Sequence, residues 1–323
     1  MLKFLAVSVF LVWTFSQSTY AGLAPDAQRA KQRGIELFNQ YRAAEPDLRI
    51  AAEAGDSEAQ YYLAEALRKK NRFINFEASK WYEAAAEQGH YYAMIRLGRS
   101  GEDLCAVMDN CTKGRKTPAE WLEHAFNLAK PLAEKDDAEA MYVMYHITGD
   151  MDWLVRSAEA GHSIAQYWMA VFTREGHGFF WLPWERSKVV EKWAKASADG
   201  GYPRGMMVYV SVLFEKGDMN GARYWTEKAA EAGYQSAVGE YGAYLGHEPD
   251  QFGYPLDLVK GYAMILQLRP LDGGGDVQVF VNEMIPLMSA RMTPDQIEKA
   301  ELLAKEWKAT HPPVSFFPHE LGW

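Results

Sequence analysis

The chain has 323 residues, 48% of them hydrophobic, and carries 34 Lys and Arg against 43 Asp and Glu, a formal net charge of −9. This acidic balance argues against nucleic acid or anionic lipid as a partner and suits a basic protein surface. No stretch beyond the first residues reaches transmembrane length, which excludes a multispanning membrane protein.

The first element in chain order reads as a processing signal. Lys3 is followed by the apolar run "FLAVSVFLVW" and by small residues at Thr19 and Ala21, the layout of a secretory signal peptide cleaved after Ala21. An uncleaved anchor is the competing reading, but the run is short for a bilayer. Residues 1–21 are therefore expected to be removed and the remainder to be a soluble exported protein of the periplasm. Losing Lys3 and no acid leaves 33 basic against 43 acidic residues, or −10. Residues 22–47 are expected to form an N-terminal capping helix.

From residue 48 onward the sequence repeats itself. "AAEAGDSEAQYYL", "AAEQGHYYAMIRL", "SAEAGHSIAQYWM", "SADGGYPRGMMVY" and "AAEAGYQSAVGEY" align on Gly55, Gly89, Gly161, Gly201 and Gly233. A degenerate copy, "LAEKDDAEAMYVM", has Asp136 at the glycine position, so successive intervals are 34, 47, 25, 40 and 32 residues. These spacings fit units of about 35 residues with variable loops.

The unit has physical logic. Glycine accepts the left-handed conformation that stops a helix. Four residues later stands a small residue, Ala59, Ala93, Ala140, Ala165, Gly205 or Ala237, where a second helix can approach closely. Eight residues before the glycine stands Trp81, Trp153, Trp193 or Trp225, with Ala85, Ser157, Ser197 or Ala229 midway. Positions i, i+4 and i+8 share a helical face, so a large ring anchors the core while a small residue admits the neighbour. His90, His162 and Asp137 are expected to cap the helices that follow them. "MTPDQIEKAELLAKEW" reads as a closing helix, with Thr293 as cap, Pro294 in the first turn and Gln296 completing a capping box.

This pattern resembles the Sel-one-like repeats, relatives of the tetratricopeptide repeats, most fully in "EASKWYEAAAEQGHYYAMIRLG" at residues 77–98. The resemblance implies an all-α fold, a right-handed α/α solenoid of helix pairs over residues 48–270. It departs from the pattern at Asp136, at a cysteine-containing insert over 99–118, and from Gly246 to Gly275. Residues 271–323 are expected to supply C-terminal capping helices and an irregular tail.

Cys105 and Cys111, six residues apart, read as a local disulfide in an oxidising compartment. Metal binding competes, without a neighbouring His or third Cys in its favour. No nucleophile elbow, metalloprotease motif, phosphate-binding loop or Cys-x-x-Cys pair is present, so neither catalytic activity, a metal nor a cofactor is expected.

A solenoid offers surface instead, and the expected partner is another protein. Two ring-rich segments fall outside the repeat. In "GHGFFWLPW", Gly176, Gly178 and Phe179 match the loop of the family unit. The surplus is Phe180, Trp181 and Trp184, braced by Pro183, which are the first candidate contacts. No basic cluster favours a membrane wedge. In "HPPVSFFPHELGW", Pro312, Pro313 and Pro318 forbid a continuing helix, and Phe316 and Phe317 are further candidates. The favoured reading has this tail folding back over the last helix pair.

Signal-bearing repeat proteins of this size resemble periplasmic immunity proteins encoded beside type VI secretion effectors of the phospholipase D class. The resemblance implies that the chain binds and neutralises such a toxic lipase. A scaffold or regulator of an envelope complex, or a secreted factor binding a host protein, are the alternatives.

Overall fold

The computed structural model describes residues 22–99, 104–108, 114–271 and 275–321. The expected signal peptide, Cys111 and hence the expected disulfide, and Trp323 lie outside these residues. Among the described residues the fold is helical. A single helix α1 (Pro25–Asn39) precedes the pairs α2 (Glu45–Glu53) with α3 (Ser57–Asn71) and α4 (Phe76–Glu87) with α5 (Tyr91–Gly98). The short α6 (Leu104–Val107) lies in the insert. Four further pairs follow: α7 (Pro118–Ala133) with α8 (Ala138–Thr148), α9 (Met151–Glu159) with α10 (Ser163–Arg174), α11 (Pro183–Asp199) with α12 (Pro203–Glu215), and α13 (Met219–Glu231) with α14 (Gln235–Leu245). The stack ends in α15 (Leu258–Leu268), α16 (Asp276–Ser289) and α17 (Pro294–Thr310). It is an α/α solenoid of helix-pair repeats. No helix among the described residues is long and apolar enough to cross a membrane.

The repeat positions do what their chemistry dictates. Gly55, Gly89, Gly161, Gly201 and Gly233 have φ of 93°, 89°, 96°, 80° and 82°, the left-handed conformation that ends the first helix of each pair. Asp136 takes the same turn at φ 64°, without glycine's freedom. In four copies the side chain of the next residue caps the second helix, whereas Tyr202 and Tyr234 make no such bond. Asp56 Oδ1 accepts from the Ala59 N–H at 2.8 Å, Asp137 Oδ1 from Ala140 at 2.7 Å, His90 Nδ1 from Ala93 at 3.4 Å, and His162 Nδ1 from Ala165 at 3.2 Å. These bonds satisfy N–H groups that a helix start otherwise leaves open.

The small residues mark close helix approach. Ala59, Ala93, Ala140, Ala165 and Ala237 are buried, as are Ala85, Ser157, Ser197 and Ala229 on the facing helices. A Cβ placed on Gly205 would come within 2.6 Å of Ser197 Cβ. Where the midpoint is serine, its hydroxyl bridges to the preceding pair: Ser157 Oγ donates to the Ala138 carbonyl and Ser197 Oγ to the Ser163 carbonyl, each at 2.7 Å.

The tryptophans sit nearer the edge than a core anchor would. Trp193 is buried, but Trp81, Trp153 and Trp225 are half-buried. Cations lie over three of these rings, with Lys192 4.1 Å from the Trp193 centroid, Arg156 4.6 Å from Trp153 and Lys80 5.5 Å from Trp81. The rings seal the rim of the core and meet charged side chains at its boundary. In the degenerate copy the corresponding position is the exposed Leu128, and Trp121, two turns earlier on α7, is the buried ring.

The irregular departure from Gly246 to Gly275 contains a regular element, α15, which packs on α14 and α17. α17 starts as its sequence requires: Thr293 Oγ1 accepts from the Gln296 N–H at 3.3 Å, and Gln296 Oε1 accepts from the Thr293 N–H at 2.9 Å.

The two ends of the stack meet. Phe316, beyond α17, donates its N–H to the Asn39 carbonyl at the end of α1 at 2.9 Å, and its ring lies 4.5 Å from that of Tyr41. A cleft of about 500 Å³ lies along this seam, between Glu36 and Arg42 of the first helical segment and Arg269, Trp307 and Lys308 of the last. The tail bridges the first and last helical segments, and the inner side of the helix pairs forms the groove along which it lies.

Candidate functional site

The segment after α17 fills that groove. Tail residues 311–321 span at most about 38 Å when fully extended, yet they touch α1 and the second helices of most pairs. Ser315 pairs in parallel with Tyr234 at the start of α14, its N–H donating to the Gly233 carbonyl at 2.8 Å and its carbonyl accepting from Gln235 at 2.9 Å. His319 lies 4.9 Å from the ring of Trp168 and 5.9 Å from that of Tyr167 on α10. The Glu320 carbonyl accepts from the Tyr61 hydroxyl on α3, and the Leu321 carbonyl from Arg96 on α5. The Leu321 side chain is 4% exposed and joins the core of Ile95, Met141 and Met144. The tail therefore does not simply cover the last helix pair, as its prolines and rings suggested. Closure of the superhelix brings six pairs within its reach, and it runs back along their common inner side.

Groove electrostatics centre on two carboxylates. Glu65, 2% exposed, is held by Arg96 Nε at 2.5 Å, Arg68 Nη2 at 2.8 Å and the Tyr82 hydroxyl at 2.7 Å. Burial alone would raise its pKa, but the Arg96 and Arg68 charges outweigh burial and hold it below the usual carboxylate range. Glu139 accepts from the Tyr92 hydroxyl at 2.6 Å and sits 2.8 Å from His162 Nε2, and it too is held low against burial by these partners. Glu320 of the tail is compensated only in part, by its own backbone N–H and by His162. Burial raises its pKa and the field of Glu139 raises it further. Burial holds His319 and His90 down to about 4 and His146 to about 3, so these three imidazoles are neutral at pH 7.

A second candidate surface lies on the loop between α10 and α11. Gly176 and Gly178, at φ 112° and 85°, turn the chain out of α10. Arg186, one turn into α11, then pins the loop. Its Nη1 donates to the Thr173 carbonyl at 2.8 Å, and its guanidinium lies 4.9 Å from the Phe180 centroid. Phe180, a candidate contact from sequence, is therefore half-buried against Arg186 and Gly178. Phe179, assigned there to the ordinary family loop, is instead 78% exposed and stacks edge to face on Trp181 at 5.1 Å. Trp181 is 83% and Trp184 57% exposed. The exposed ring set is Phe179, Trp181 and Trp184.

The remaining candidates have internal partners. Phe316 packs on Tyr41, and the Phe317 ring, on a residue at φ 46°, lies 6.1 Å from that of Tyr234. The groove rings were not singled out from sequence, although they carry a signal. The position six residues after the repeat turn, at Gly55, Asp136 and Gly161, is Tyr61, Tyr142 and Tyr167, on the inner side of the second helix. Cys105 is half-buried beside Arg115, whose Nη1 lies 2.7 Å from Sγ. Among the described residues no group of three or more His, Cys, Asp or Glu is placed to hold a metal ion.

Among solved structures, the chain is similar to a protective antigen present in uropathogenic Escherichia coli strains that displays an SLR fold. The two share 21% identity at a TM-score of 0.49, over 90% of this chain and 62% of the antigen. The chain thus spans less than two thirds of the antigen's length. It is also similar to a Sel1 repeat protein from Oxalobacter formigenes, at 20% identity and a TM-score of 0.43, over 88% and 87% of the two chains. No family model and no curated protein matches the chain.

Proposed function

We propose that the protein is an exported, non-enzymatic binding solenoid of the periplasm, which acts as an immunity protein by binding and neutralising a type VI secretion lipase of the phospholipase D class. The observation that carries the binding reading is the exposed pair Phe179 and Trp181, together with Trp184, on a loop fixed by Arg186. Large rings left in water on a rigid support are an energetic cost that burial against a partner relieves, at about 25 cal/mol per Å² of apolar area. Aromatic anchors of this kind dominate protein interfaces. The net charge of −9 favours a basic partner surface, since complementary charge speeds encounter. The lipase as partner rests on the sequence resemblance to immunity proteins.

Co-expression is the test. The product of the neighbouring gene, the effector on this proposal, is directed to the periplasm with and without this protein. The proposal expects survival only when it is present, and survival falling when Phe179→Ala and Trp181→Ala are combined. Equal killing in both arms would contradict the immunity reading, and a gene set among envelope-biogenesis genes would favour a scaffold.

A further inference from the structure

We propose that the inner groove is a binding site for an extended segment of another protein, and that residues 311–321 occupy it as an internal stand-in. This rests on the reading of the chain as a protein-binding solenoid and says where on it, and for what chemistry, a second contact forms.

The groove engages its tail as proteins engage peptides. The contacts at Ser315, Glu320 and Leu321 are made to main-chain atoms, by Gly233, Gln235, Tyr61 and Arg96. Main-chain recognition tolerates many sequences, and specificity then comes from side-chain pockets. There are two. One is the ring box around His319, formed by Tyr167, Trp168 and Tyr202. The other is the aliphatic site that buries Leu321.

The tail is an imperfect occupant at three points. His319 Nε2 is buried with no hydrogen-bonding group of the described chain in reach. The Glu320 carboxyl is buried near Glu139, and its own backbone N–H and His162 offset that burial only in part. Phe317, a bulky residue, is held at φ 46°, where L residues are strained. Each is a local conflict that a segment serving only to close the fold would be expected to lose. The tail also joins α17 through His311, Pro312 and Pro313, so it can leave without unwinding a helix. The preferred occupant is an extended segment of a second protein with a ring at the His319 position, a neutral or basic residue in place of Glu320, and an aliphatic residue at the Leu321 position.

The test uses the full chain and two synthetic probes, the blocked peptide of residues 311–321 and its Glu320→Gln version. A tethered tail competes at an effective concentration of about 1 mM. Wild type should therefore bind either probe at least tenfold more weakly than Leu321→Asp, in which the tail end cannot re-enter its apolar site. The Gln probe should bind more tightly than the Glu probe, and Arg96→Ala in the Leu321→Asp background should weaken both. Because Leu321→Asp can disturb the core, a second chain carries a protease site between Thr310 and His311 and is cut after folding. Its tail should exchange with labelled probe while the helical circular dichroism stays unchanged.

A folded Leu321→Asp that gains no affinity, or a cut tail that stays bound through gel filtration or whose release unfolds the chain, would overturn the proposal. Concentration-dependent dimers that alone account for tail release would do so as well, by making a second copy the occupant. No effector enters this assay, so its failure is distinct from failure of the immunity reading, and the converse holds.

Discussion

Replacing Arg96 by Ala is expected to destabilise the fold by about 3 kcal/mol, at the lower end of what breaking a buried ion pair costs. Arg96 is 7% exposed, and its loss leaves Glu65 at 2% exposure with only Arg68 at 2.8 Å and the Tyr82 hydroxyl at 2.7 Å. The surviving Arg68 contact places the figure low in the range. The same substitution removes the donor to the Leu321 carbonyl, so the tail end should lose protection from hydrogen exchange before the solenoid melts. For a chain of 323 residues, 3 kcal/mol corresponds to a fall in Tm of roughly 4–5 °C. Urea unfolding followed by circular dichroism measures it, and combining Arg96→Met with Glu65→Leu should recover part of the loss, because the buried carboxylate leaves with its partner while Arg68 and the Tyr82 hydroxyl each give up a contact to it. The sign of the pH dependence follows from Glu65. Its folded pKa lies below the ordinary value of 4.5, so its stabilisation is present above about pH 4.5 and is lost as pH falls through the lowered pKa. The difference between wild type and Arg96→Ala should therefore shrink in acid. A loss below 0.5 kcal/mol at pH 7 would refute the view that this pair organises the groove.

Asp136→Gly should stabilise the chain by about 0.5–1 kcal/mol, because Asp136 holds φ 64° and only an exposed 3.5 Å pair with Arg156 is lost. Gly161→Ala, at φ 96° with open space where the Cβ would lie, should cost about 1–2 kcal/mol from backbone strain alone. Chemical denaturation checks both. Burial keeps His90, His146 and His319 neutral, at about 4, 3 and 4 against 6.5, so their contribution is full above pH 6.5 and is lost as pH falls toward 4. Tm should drop over that window, and less so in a His146→Phe variant. Glu320 and Glu240, raised by burial, act in the opposite sense and favour the fold on the acid side of their raised pKa values. Combining Phe179→Ala and Trp181→Ala should change stability by less than about 0.5 kcal/mol, since both rings are exposed. An early melt would show that these rings belong to the fold.

The helix pairs were legible because their punctuation is local. A glycine that must take positive φ, a capping residue directly after it and a small residue three positions further on are all settled within one turn of chain, as Gly161, His162 and Ala165 show. Even the degenerate copy keeps the turn through Asp136. Which of two adjacent rings faces water was not legible. Phe180 is withdrawn and Phe179 left out because Arg186 reaches back from the next helix to the end of α10, a contact that no periodicity encodes. The path of the tail was hidden for a related reason. It depends on how far the superhelix closes, which accumulates from many small packing angles between pairs. Only that closure brings Asn39, Gly233, Trp168 and Arg96 within reach of one short segment.

The central proposal, that this solenoid acts by gripping another protein through its exposed ring cluster, is tested most directly by titrating the purified product of the neighbouring gene, the effector on this proposal, into wild type and into the Phe179→Ala, Trp181→Ala variant. Wild type should form a stoichiometric complex, and the variant should bind at least tenfold more weakly with its Tm unchanged. Equal affinities for the two proteins, or no complex with wild type, would contradict the account.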